Sequence, residues 1–250
     1  MVLRHHMARM LALLTVGCMP MTLTAQKDND FGIWTDIKVD KKINSKSHVS
    51  LGAELRTNDN SSQTKRWAVS LAGDYHITPM IRLGAGYDFL YDRRESTTYD
   101  ADGDAAKYAN YWTPRHRLHA DITGKWEIGR WEVSLRERWQ YTYRPEKTID
   151  GQYDYARQDF DGVPQTVKGN GKHLLRSRLQ LTCDLGRWEP HASVEIHNAW
   201  RLEKTRFSIG TDWAVSKAHK IGFYYRYQVE AGFTGEPNLH ILGVSYKVKI

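Results

Sequence analysis

The chain has 250 residues, with 36 Lys and Arg against 29 Asp and Glu and a formal net charge of +7. Charged residues make up 26% and mean hydropathy is −0.63, which excludes a membrane-crossing helix anywhere beyond the N-terminus. A membrane barrel is not excluded, because barrel strands hide their apolar residues by alternation. Nine Trp and fourteen Tyr suit the aromatic girdles of such a barrel.

Residues 1–25 read as a signal peptide. Arg4 and Arg9 supply the positive end, Met10 to Val16 the apolar centre, and Leu23, Thr24 and Ala25 a cleavage site before Gln26. The run from Leu13 to Cys18 offers a second reading, lipidation at Cys18. Either way Cys183 is left as the one other cysteine, so no intramolecular disulfide is expected.

Residues 26–250 read as one antiparallel, up-and-down, all-β barrel. Residues 31–40 alternate Phe31, Ile33, Thr35, Ile37 and Val39 against Gly32, Trp34, Asp36 and Lys38. Residues 48–57 place Val49, Leu51, Ala53 and Leu55 against Ser50, Gly52, Glu54 and Arg56. Residues 66–75 and 81–91 repeat the pattern, with Trp67, Val69, Leu71, Leu83, Tyr87 and Phe89 facing outward. A polar loop is expected over 92–111. Strands resume at 116–126 and 131–143, where Glu137 falls among the outward residues; either a bulge or a place near the interface would explain it. A second long loop is expected over 144–172. Strands follow at 175–185 and 190–200, then the most regular hairpin of the chain, Thr205 to Glu230. Its arms carry Phe207, Ile209, Trp213, Ile221, Phe223, Tyr225 and Tyr227 on one face, and Arg206, Asp212, Gly222, Arg226 and Glu230 on the other. The last strand ends on Leu242, Val244, Tyr246, Val248 and Ile250, resembling the terminal recognition signal of outer-membrane barrels.

Short turns near 76–79, 127–129, 186–187 and 216–219 alternate with the long connections, as periplasmic turns alternate with external loops. Eleven segments can be counted, and the loop pattern sends the first one downward. Bacterial single-chain barrels carry an even number of strands. The reading is therefore ten strands, with residues 31–40 outside the wall, or twelve, with one strand unrecognised.

The inward face is densely charged, which is tolerable only where charges pair or meet water. Arg136, Arg138, Arg176, Arg178 and Arg226 form a candidate anion site, since guanidiniums two residues apart on adjacent strands can bind carboxylate or phosphate. The leading expectation is a small, non-enzymatic channel or transporter for anionic solutes. The first alternative is a barrel plugged by its own ion pairs that binds or adheres through loops 92–111 and 144–172. The second is a lipid-modifying enzyme using His119 with Asp121, or His191, Glu195 and His197; no Gly-x-Ser-x-Gly motif is present, and Ser193 near His191 is only alternation. The three residues on 191–197 are also a loose metal-ligand pattern. No cofactor is implied. A nucleic-acid partner is not expected, because the arginines alternate with apolar residues and point inward. A monomer in contact with outer-membrane lipid is expected.

A family resemblance rests on Trp34, on Glu54-Leu55-Arg56, on Gly86-Tyr87, on Leu135-Arg136-Glu137-Arg138, on Leu175-Arg176-Ser177-Arg178 and on Tyr225-Arg226-Tyr227, in that order. Over roughly residues 31–250 the chain resembles the uncharacterised outer-membrane barrels grouped as domain of unknown function 2490. The resemblance implies a barrel in the bacterial outer membrane and no particular activity.

Overall fold

Period-two side chains give a strand two unlike faces, and here each alternating segment becomes a piece of one cylindrical wall. The structure is a computed structural model that describes residues 29–250; the expected signal peptide and Cys18 lie outside the described residues. In chain order the strands are β1 (Asp30–Lys42), β2 (Ser47–Asn58), β3 (Gln63–His76), β4 (Ile81–Tyr99), β5 (Ala105–Ile128) and β6 (Trp131–Arg144). Four short pieces follow: β7 (Lys147–Ile149), β8 (Tyr153–Asp154), β9 (Asp159–Phe160) and β10 (Gln165–Val167). The wall resumes with β11 (Asn170–Cys183), β12 (Trp188–Asn198), β13 (Leu202–Ala214), β14 (His219–Glu230) and β15 (Leu239–Lys249).

The wall therefore has eleven strands, β1–β6 and β11–β15, closed through β1 with β15. The expectation of ten or twelve is corrected. An odd cylinder cannot alternate direction all the way round, so one neighbouring pair must run parallel. That pair is β1 and β15, in register from Asp30 opposite Leu239 to Asp40 opposite Lys249. Residues 31–40 are a full wall strand, and they do run toward the rim that carries the short turns.

That rim holds the turns 43–46, 77–80, 129–130, 184–187 and 215–218. The opposite rim holds 59–62, 100–104, 145–169, 199–201 and 231–238, together with the start of β1. The expected loop over 92–111 is mostly strand. β4 and β5 run 19 and 24 residues, although about ten suffice to cross a bilayer. The hairpin continues past the apolar belt on backbone pairing, with polar, alanine and tyrosine side chains mixed on its faces, so the alternation that marks a strand fades there. The expected loop over 144–172 likewise contains β7–β10 and the start of β11.

Outward side chains are apolar and open to the surroundings: Ile37, Leu51, Leu71 and Leu118 are each more than half exposed. Aromatic clusters mark both ends of this belt. Tyr91 stacks on Trp112 at 5.3 Å toward the loop-bearing rim, and Trp188 on Trp213 at 5.6 Å toward the turn-bearing rim. Glu137 is on this outer face with no bulge: the ladder runs unbroken through Ile122, Glu137 and Ser177. Its carboxylate accepts a hydrogen bond from Ser177 Oγ at 2.6 Å. Inside, Trp34, Leu90, Leu174 and Ile241 are buried beside the charged groups.

Candidate functional site in the barrel lumen

Glu195 is the centre of the lumen. Its position on β12 sets it between β11 and β13, so guanidiniums reach it from both flanks. Arg136 Nη2 donates to Oε2 at 2.7 Å, and Arg176 Nη2 to Oε1 at 2.8 Å. Arg206 Nη1 and His197 Nε2 lie 3.5 and 2.8 Å from Oε1. Charge-assisted bonds of this kind are the strong ones, and burial raises the stakes of each. Arg206 also donates Nε to Gln228 Oε1 at 2.6 Å.

Around this hub the other expected site residues are distributed rather than gathered. Arg138 pairs with Asp121 through Nε and Nη2 at 3.1 and 2.8 Å. Arg226 donates to Ser208 Oγ at 2.8 Å and lies over the Tyr224 ring. Among the described residues Arg178 forms no ion pair, although it stands opposite both Arg136 and Glu195. Buried Trp34 lies among guanidiniums, with Arg56 3.7 Å above its ring and Arg206 and Arg226 within 5.3 Å. Tyr224 lies flat across Gly243; a Cβ there would fall inside its ring. Nearer the loop-bearing rim Asp92 takes Arg66 at 2.5 and 2.9 Å and Arg115 at 2.7 Å.

Of the candidate enzymatic and metal groups, Glu195 and His197 are paired, and the others stand apart. His119 faces Asp88 at 3.6 Å, while Asp121 is held by Arg138. His191 and His197 lie six residues apart on one strand, about 20 Å, so they cannot share an ion. His191 Nδ1 instead lies 3.3 Å from the Glu189 carbonyl oxygen. Neither His119 nor His197 hydrogen-bonds a serine, threonine or cysteine among the described residues.

The family model described as a protein of unknown function, DUF2490, matches residues 31–238. The chain belongs to this family. None of the curated proteins compared matches the chain. Among solved structures, the DUF2490 barrel is similar to the beta domain of the Bordetella autotransporter Brka. The TM-score is 0.51 at 14% identity, covering 76% of this chain and 80% of that one. It is also similar to the translocator domain of the autotransporter NalP from Neisseria meningitidis, with a TM-score of 0.47 at 10% identity, covering 76% and 70%. At such identities the first likeness shows the fold alone, a transmembrane β-barrel of the outer-membrane type.

One cluster of this DUF2490 barrel escapes the sequence reading. At the turn-bearing end of the lumen, His48 Nδ1 lies 3.3 Å and His76 Nε2 3.6 Å from the same oxygen, Asp74 Oδ2. His48 stands opposite Asp74 across the β2–β3 ladder, and His76 follows two residues later on the same face. The sequence marks Asp74 as inward but pairs it with nothing, because its partner is 26 residues away and depends on register.

Proposed function

We propose that this chain is an outer-membrane barrel whose lumen is shut by its own side chains, and whose loop-bearing rim does the binding. One observation carries the reading: Glu195, 8% exposed at its side chain, is shared by three arginines and a histidine. A guanidinium already committed to a buried carboxylate is not available to a passing anion. Arg226 in turn lies between the Trp34 and Tyr224 rings, 5.3 and 4.7 Å from their centroids.

The rim supports the second half of the reading. Tyr155 N donates to Ala106 O at 3.0 Å, and β8 pairs with β5. Lys107 Nζ meets Asp161 Oδ2 at 2.7 Å, and Lys147 Nζ donates to Trp112 O. A connection held this way is a positioned surface rather than a slack tether. It presents exposed Tyr155 and Phe160 on the rim that also carries exposed Tyr99 at the end of β4, and aromatic side chains of this kind anchor recognition surfaces.

The test is single-channel recording of the refolded protein in planar bilayers, with folding confirmed by heat-modifiable gel mobility. A folded but silent protein is the expected result. Stable, anion-preferring steps would overturn the plug and make the lumen arginines a conduction path for anionic solutes.

A further inference from the structure

We propose that His48, Asp74 and His76 bind one divalent transition-metal ion of the zinc class at the turn-bearing end of the lumen. Two imidazoles and a carboxylate are the borderline nitrogen and oxygen donors that zinc-like ions favour, whereas calcium and magnesium favour oxygen alone. The ligating atoms all lie within 4.8 Å of one another. A tetrahedral ion with bonds of about 2.0–2.1 Å sets its ligand atoms roughly 3.4 Å apart. The observed separations of 3.3 and 3.6 Å from Asp74 Oδ2 bracket that edge. Ordinary hydrogen bonds to a ring nitrogen are shorter, about 2.7–3.2 Å. His48 Nδ1 is within hydrogen-bond reach of Asp74 Oδ2 and His76 Nε2 lies just beyond it, so both rings converge on one oxygen at a spacing that a shared ion also fits.

The scaffold fixes this arrangement from two sides. His48 and Asp74 are ladder partners, and the His76 amide donates to Lys46 O at 2.8 Å. The two rings meet edge-on with centroids 5.5 Å apart. All three side chains are a quarter to a third exposed, so lumen water can complete the ion's coordination. Two further charges stand close by. Arg82 is the ladder partner of His76 and opposes the ion's charge. Asp121 packs over Gly84, the ladder partner of Asp74, where a Cβ would come within 2.9 Å of its carboxylate. Arg138 already neutralises Asp121, which leaves Asp74 as the carboxylate open to an ion.

The experiment is titration of the refolded full chain with zinc chloride by calorimetry, repeated with cobalt(II), whose visible absorption reports tetrahedral nitrogen and oxygen coordination. Wild type is expected to bind one ion more tightly than any other and to gain heat stability with it. His48→Ala and His76→Gln are each expected to weaken that step by more than about tenfold, as even the loss of a ligand-orienting group costs ~10–100-fold, and to abolish the cobalt band. His191→Ala should bind as wild type does. Folding of each variant is checked by heat-modifiable mobility, and His76→Gln retains a polar side chain if alanine at 48 does not fold. Wild-type affinity in both folded variants, or no one-to-one step in wild type, would overturn the site.

Discussion

The Glu195 cluster and the Asp74 cluster are built from the same material, an inward carboxylate with cationic or imidazole neighbours on adjacent strands, yet they behave as opposites. Glu195 lies deep and takes guanidiniums at 2.7–2.8 Å. Asp74 lies near a rim, three times more exposed, and is approached by imidazoles at 3.3–3.6 Å. Guanidinium is always charged and saturates a carboxylate. Imidazole can be neutral and turn a lone pair toward a metal. On the two proposed readings, the neighbour's chemistry and the depth, not the carboxylate, separate a plug from a receptive site.

The sharpest way to break this contrast is truncation. Glu195→Ala strands three arginines together, and a loss of about 3–5 kcal/mol is expected. The same change at Asp74 should cost no more than about 1 kcal/mol. Urea unfolding in lipid vesicles, followed by tryptophan fluorescence, measures both; equal costs would erase the distinction. Asp92→Asn tests a carboxylate of intermediate load, bound by two arginines, and about 2–3 kcal/mol is expected in the same assay. Glu137→Gln turns the comparison outward. It keeps an acceptor for Ser177 while removing a charge from the apolar face, so the barrel should become more stable by about 1 kcal/mol.

The smallest effect concerns Asp161, well beyond the belt. The Lys107 ammonium, with the amides of Gln152 and Val163, holds its carboxyl below the usual carboxylate range. Because the folded value is depressed, this group's contribution is complete above the unfolded value near ~4. It is lost as pH falls through the folded value. Hydrogen exchange at residues 150–163 should therefore show the same protection at pH 5 as at pH 7. Asp161→Asn should release that protection at both.

Much of the wall was legible because Leu51, Leu71 and Leu118 alternate with Gly52, Ser70 and Arg117, and lipid on one side leaves that record in the residues. Where neither face meets lipid, as in Glu95 to Lys107, the record ends and strand looks like loop. Glu137 was visible as an exception but its register was not. The His48–Asp74 pairing was hidden by a shift in the β2–β3 ladder between Arg56 and Thr57. Counting back from the tip without that extra residue sets His48 opposite Gly73. Alternation placed Arg136, Arg138, Arg176, Arg178 and Arg226 on the inner face but missed Arg115, which sits beside the stretch taken as loop and pairs with Asp92; it says which way a side chain points and nothing about which carboxylate it finds.

The parallel seam has a consequence for how the cylinder comes into being. Every antiparallel neighbour in the wall can zip outward from its connecting segment, but β1 and β15 share no connection and meet across about 200 residues of chain. Their evenly spaced, slanted bonds are also slightly weaker per residue than antiparallel ones. The seam is thus the last joint to be made during assembly and the first to part under load. A curved sheet bordered by β1 and β15 is the natural precursor of the finished barrel.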